Sequence, residues 1–166
     1  MSDVVVIGAS AIDLKATAAA ALIPETSNPG VVSASPGGVG RNIAETLARL
    51  GSSVRLVSRV ADDAFGRLVL AETAAAGVDV SEVHTDADRT ATYVATLDVD
   101  GSLSVAVSDF AAIDTMTLEH VAGISFERVG HVVLDANLPI QVLSAALTRA
   151  GEAGALVTIE PVSVVK

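Results

Sequence analysis

The chain has 166 residues, enough for one domain with a sizeable core, and at 51% hydrophobic content it is no disordered segment. Its formal net charge of −10 argues against nonspecific binding to nucleic acid or to an anionic membrane, both of which need a basic surface. It contains no cysteine, which excludes disulfides and thiolate metal sites.

Aromatic residues are only 2%, so Val, Leu, Ile and Ala must build the core, a composition suited to buried parallel strands covered by helices. Val4-Val5-Val6-Ile7 followed by Gly8 predicts a buried strand meeting a turn, with Asp13 just beyond its carboxyl end. No basic segment precedes this strand and no apolar run is long enough to span a bilayer, so the expected location is cytoplasmic. Leu14 to Ser35 carries Pro24, Asn28, Pro29 and Gly30 between short apolar patches and reads as an excursion from the main sheet. Arg41 to Leu50 predicts a helix stopped by Gly51, and Val54 to Val60 the next strand. Asp62 or Asp63 can cap a helix over about 64–76 that Gly77 closes, which is a better use of this pair than a metal site. Strand and helix in alternation predict a parallel sheet with helices on its faces.

Thr90 to Val107 breaks that rhythm. Two alternating runs, Thr92 to Leu97 and Leu103 to Val107, flank Asp100-Gly101, which is a hairpin signal. Leu118 to Ala122 predicts a short helix. His131 to Leu134 predicts a strand ending at Asp135-Ala136-Asn137, Pro139 suits the first turn of a helix over 140–150, and Ala155 to Ile159 predicts a last strand. His84, His120 and His131 are scattered without ligand spacing.

The most informative stretch is Pro36-Gly37-Gly38-Val39-Gly40-Arg41-Asn42, three glycines just ahead of the apolar-periodic run Ile43, Ala44, Leu47. Glycine permits positive φ and close approach of a ligand to the main chain. The first-turn N–H groups of a helix have no partner within it, so this pattern predicts a small-molecule cradle at a helix N-terminus. Gly8-Ala9-Ser10-Ala11 lacks the third glycine of a dinucleotide-binding turn.

Taken together, Gly8, Asp13, Pro36-Gly37-Gly38 with Asn42, Val60-Ala61-Asp62-Asp63 with Gly66, and the hairpin insert resemble the N-terminal half of the ribokinase-like (PfkB) carbohydrate and nucleoside kinases. Within that family, Thr26-Ser27-Asn28-Pro29-Gly30, the run from Pro36 to Glu45 and the ending Pro161 to Lys166 are most similar to members acting on pseudouridine. The resemblance covers essentially the whole chain, as part of a single kinase domain. It implies a three-layer α/β/α fold with a mostly parallel central sheet and a small β lid, contributed by about 14–35 and 90–107. It further implies phosphoryl transfer from ATP, with Mg²⁺, to a ribosyl 5′-hydroxyl, and a homodimer joined lid to lid. Carried over residue by residue, Asp13 would accept hydrogen bonds from sugar hydroxyls, Gly37 and Gly38 would let the ribose lie on the backbone, and Asn42 would bind the same ribose. Asn137 would be a further polar ligand, Ser27 and Asn28 would read the base edge from the lid, and Lys166 could meet an anion. Ser108 and Asp109, at the end of the hairpin, could also face the ligand.

Three positions depart from the family's pattern: Ala11 stands where an Asn is usual, Ala61 where a Gly is usual, and Glu160 where an Asp is usual. The Gly-Ala-Gly-Asp motif that carries the family's catalytic base is not found in these residues. The expectation is therefore an N-terminal portion lacking the C-terminal half, with the base, the phosphate cradle and most ATP contacts elsewhere and no turnover from this chain alone. The alternatives are another ribokinase-like sugar or nucleoside kinase, and a non-catalytic remnant that binds a ligand or partner.

Overall fold

The computed structural model describes residues 3–162. Along the chain these form β1 (Asp3–Ile7), β2 (Ala11–Ala18), β3 (Gly30–Gly37), α1 (Val39–Arg49), β4 (Val54–Ala61), α2 (Ala64–Ala75), β5 (Val83–Ala87), β6 (Ala91–Leu97), β7 (Leu103–Asp109), α3 (Ala111–Asp114), α4 (Glu119–Ala122), β8 (Val129–Asp135), α5 (Ile140–Glu152) and β9 (Leu156–Glu160). Five strands make an all-parallel sheet in the order β5-β4-β1-β8-β9. The uninterrupted apolar run of β1 follows from its place: it is the middle strand, and both of its faces are covered. Val4 and Val6 point toward α1, in a cluster with Ala44, Leu56 and Val133. Val5 and Ile7 point the other way, into a cluster with Ile113, Val121, Val142 and Ala146 from α3, α4 and α5. That alternation produces three layers, and the core is aliphatic, as the composition requires.

The other four strands form a second sheet, ordered β3-β2-β6-β7, with β2 parallel to β6 and the outer pairs antiparallel. Register puts Asp13, Lys15, Tyr93 and Ser108 on one face and Leu14, Ala16, Val32, Val94, Val105 and Val107 on the other. Leu14, near the base of the apolar face, packs with Ile12, Val60 and Val69 against α2. Farther out, Val32, Val94, Val105 and Val107 are exposed. The excursion expected over 14–35 is thus two eight-residue strands, and Asp13 lies inside β2 rather than in a turn after β1. The alanines and serines of these strands hide the alternation that their pairing makes regular.

Two elements went unpredicted. Strand β5 reads Val-His-Thr-Asp-Ala, too polar for a buried strand, because it lies at the sheet's edge. Helix α3 is a single turn, too short to show a period. Helix α1 begins at Val39, two residues early, since Gly38 at φ 93° serves as its N-cap without a side chain.

Asp63 caps α2 as expected: its Oδ1 accepts from Gly66 N at 2.7 Å. The same carboxylate accepts from Thr90 Oγ1 (2.8 Å) and Thr90 N (3.0 Å), which anchors the entry to β6. Burial pushes the Asp63 carboxyl up, but the bonds from Gly66, Thr90 and Phe65 outweigh it and hold it below the usual carboxylate range. A depressed carboxyl stabilises the fold above its unfolded value and loses that effect as pH falls through its folded value. Asp63→Ala should therefore cost about 1–2 kcal/mol at pH 7, with a difference from the parent that shrinks on acidification; equal urea midpoints at pH 7 would contradict this.

Helix α1 meets β1 backbone to backbone. A Cβ on Gly40 would lie 2.7 Å from Gly8 Cα, and one on Gly8 would lie 2.5 Å from Asp135 Cβ, so neither position has room for a methyl group. Gly40→Ala should cost about 1–3 kcal/mol through overpacking. Gly151→Ala, whose Cβ would meet nothing within 4 Å on α5, should instead stabilise by about 0.5–1 kcal/mol. Chemical denaturation of the two variants compares them directly.

Candidate functional site

In the parallel sheet the chain builds β4 and β5 on one side of β1, then β8 and β9 on the other. The order reverses between β1 and β8, and at the carboxyl ends of such a pair the flanking connections diverge and leave a crevice. An open cleft of about 370 Å³ lies here. Gly38, Val39 and Asn42 reach it from the start of α1, Asn137 from the loop after β8, and Val162 from beyond β9. Asp13, Tyr93 and Ser108 reach it from the polar face of the small sheet, and Phe110 follows β7. The volume fits a sugar- to nucleoside-sized ligand.

Asp13 is half-buried over Gly37: a Cβ there would lie 2.5 Å from Asp13 Oδ2. Gly37 thus makes room for the carboxylate and is itself buried below the cleft, while Gly38 lines it. Burial raises the Asp13 carboxyl above its ordinary value, and Lys15 and Arg41 pull it partway back.

The two amides of the site are held from behind. Arg41, 6% exposed, donates Nε to Thr73 Oγ1 at 3.0 Å, pairs through Nη2 with Glu45, and donates Nη1 to Asn42 Oδ1 at 3.1 Å. That last bond directs the carbonyl side of the Asn42 amide at the guanidinium. Asn137 donates its Nδ2 to Asp135 Oδ1 at 2.8 Å and its main-chain N–H to the same oxygen at 2.9 Å. Helix α5 starts at Pro139, which supplies no side-chain cap.

The cradle of free helix N–H groups expected at α1 is largely used up internally. Gly40 N donates to Asp135 Oδ2 at 3.2 Å and Arg41 N donates to Ala9 O at 3.0 Å. What faces the cleft is the glycine backbone and the side chains around it.

Ser27 and Asn28 do not reach this cleft. They sit in the turn between β2 and β3, where Asn28 Oδ1 accepts from Ile23 N at 2.9 Å and its Nδ2 donates to Ile23 O at 2.9 Å and Thr26 O at 3.2 Å. That network closes the turn; Ser27 is exposed. Ser108 lines the cleft, whereas Asp109 faces away, paired with Arg89. Lys166 lies outside the described residues.

Sequence reasoning missed Tyr93, Phe110 and Asp135. Tyr93 is the chain's single tyrosine, and its place in the alternating run two residues before Ala95 marked it only as a strand residue. Phe110 packs against the cluster of Ala11, Ala91 and Ala112, so the departure at Ala11 leaves an apolar floor beside the cleft. Asp135 was legible as a charged residue ending an apolar strand. Among the described residues no group of three His, Cys, Asp or Glu is placed to hold a metal ion. No helix among the described residues is long and apolar enough to cross a membrane.

Residues 1–163 match the pfkB family of carbohydrate kinases. The chain is 36% identical over 163 residues to the pseudouridine kinase of Escherichia coli K12, an alignment that covers 96% of this chain and 51% of that protein. It is 33% identical over 147 residues to the guanosine-inosine kinase of Exiguobacterium acetylicum, covering 86% of this chain and 48% of that one. A carbohydrate kinase from Agrobacterium tumefaciens superposes with a TM-score of 0.86 at 30% identity, over 96% of this chain and 53% of its own. The chain thus spans about half the length of the curated relatives it matches.

Because the folded-state carboxyl of Asp13 is raised, its ionised form at neutral pH costs folding free energy, a cost that vanishes as pH drops through that raised value. Asp13→Asn should therefore melt at the same temperature as the parent or higher at pH 7, the mark of a group held for binding rather than stability. A lower melting temperature would assign Asp13 to the scaffold.

Proposed function

The chain belongs to the pfkB family of carbohydrate kinases, and we propose from this that it supplies the acceptor-binding half of an ATP-dependent kinase acting on a ribosyl 5′-hydroxyl, with pseudouridine as the substrate. The observation that carries the reading is the composition of the cleft. It combines an acceptor-only carboxylate (Asp13) and two amides (Asn42, Asn137) with Tyr93, Ser108 and Phe110. Only 2% of the chain is aromatic, yet two of those residues line this one cleft. Carboxylate and amides suit the vicinal hydroxyls of a ribose; the aromatic pair beside Ser108 suits a planar base with polar edges. A base that remains attached to the ribose would fill the space between the two sheets.

In the reaction, the 5′-oxygen attacks the γ-phosphorus of ATP, a new O–P bond forms, the bond to the ADP oxygen breaks, and the hydroxyl proton leaves to a base. Such transfer depends mainly on positioning and charge stabilisation. These residues contribute the positioning of the acceptor. We assign the base and the ATP and Mg²⁺ contacts to the part of the protein that corresponds to the other half of the relatives. The exposed valines Val32, Val94, Val105 and Val107 support a homodimer through the outer face of the small sheet. A plain-sugar kinase is the second reading, favoured by the family's carbohydrate members; it leaves Tyr93 and Phe110 without a planar partner.

The full-length protein assayed with ATP against pseudouridine, uridine, guanosine, ribose and fructose tests this. Pseudouridine should give the highest kcat/KM; ribose or fructose ahead of every nucleoside would overturn the nucleoside reading. Asp13→Ala should lower acceptor affinity by about tenfold to a hundredfold, the scale of hydrogen bonds to a charged group. Tyr93→Ala should weaken nucleosides by about tenfold and ribose hardly at all.

A further inference from the structure

Asp135 is wholly buried at the carboxyl end of β8, and its two oxygens are divided between different segments. Oδ2 accepts from Ala9 N at 2.9 Å, in the link from β1 to β2, and from Gly40 N at 3.2 Å, in the first turn of α1. Oδ1 accepts from Asn137 N at 2.9 Å and from Asn137 Nδ2 at 2.8 Å. One carboxylate therefore joins the first link of the small sheet, the helix bearing Asn42, and the amide of Asn137. A Cβ on Gly8 would lie 2.5 Å from Asp135 Cβ and 2.9 Å from Oδ2, so the glycine leaves the space that the carboxylate occupies.

The geometry points to Asp135 as the positioning residue of the cleft: it acts through Asn137 and the start of α1 to set where the acceptor hydroxyls are met. A carboxylate is needed because all four groups are donors and it alone is an acceptor at both oxygens. Asparagine has nearly the same shape but turns one edge into a donor, opposing N–H to N–H either at Ala9 and Gly40 or at Asn137. The consequence is misplacement of a binding group, and small displacements of a positioned acceptor are costly to phosphoryl transfer.

This inference rests on the acceptor-site reading above, and the experiment separates the two. The full-length parent is first assayed for phosphorylation of pseudouridine, guanosine and ribose; no product from any of them defeats the functional reading. Asp135→Asn should then raise the acceptor KM by about tenfold or more, one charge-assisted hydrogen bond's worth, while the ATP KM stays within about twofold. Asp135→Asn combined with Asn137→Ala should lose less than the sum of the two single losses, since the pair shares one contact. Additive losses, or an ATP KM raised as much as the acceptor KM, overturn the proposal in favour of a plain scaffold role. The proposal also stands or falls without turnover, or if Asp135→Asn fails to fold. In the ligand-free parent the Asn137 side-chain amide should exchange slowly with solvent in an asparagine-labelled NMR sample. Exchange as fast as an exposed amide overturns it.

Discussion

The backbone of α1 rests on the end of β1 with nothing but two glycines between them. Gly8 and Gly40 come so close that a methyl on Gly40 would strike the Gly8 main chain, and one on Gly8 would strike the Asp135 side chain. This contact sets the position of everything at the mouth of the sheet. It places the first turn of α1 beside β8, within reach of the Asp135 carboxylate, and puts Asn42 on the rim of the crevice. Without it, the helix would stand off by the width of a side chain and the switch point between β1 and β8 would no longer face a shaped wall.

The small sheet completes that wall from the other direction. Strand pairing forces Asp13, Tyr93 and Ser108 onto one face, so three residues far apart in sequence arrive at one surface by register alone. Its opposite face is anchored at the base through Leu14, Val60 and Val69, and the entry to β6 is tied to the α2 cap through Asp63 and Thr90. The polar face therefore lines the cleft, while the apolar face packs against α2 at its base and is exposed farther out, a division already built into the alternation of each strand.

Much of this was readable from the sequence because local chemistry and tertiary context agree. The valine run of β1, the stops at Gly51 and Gly77, the cap at Asp63 and the hairpin around Gly101 each follow from one or two residues, and the structure has them all. The glycine-rich stretch borders the cleft, but not as a row of free N–H groups. Its N–H groups are consumed by Asp135 and Ala9, and what the glycines provide is closeness, to Asp13 at Gly37 and to the β1–β2 link at Gly38. The long-range pieces stayed hidden. Nothing local says that Asp135 will meet Ala9, 126 residues away, or that Asn28 will turn its amide onto its own loop. Strand β5 was hidden for another reason: a polar edge strand has no hydrophobic pattern to betray it.

The scarcity of aromatic residues has an optical corollary. The chain has one tyrosine and no tryptophan, and that tyrosine stands in the cleft wall. Ultraviolet emission from this polypeptide thus originates at a single phenol, with the three phenylalanines contributing little at its wavelengths. Whatever enters the cleft and lies against Tyr93 changes the surroundings of the only strong fluorophore present, so these residues carry an intrinsic optical probe at the place where chemistry is expected.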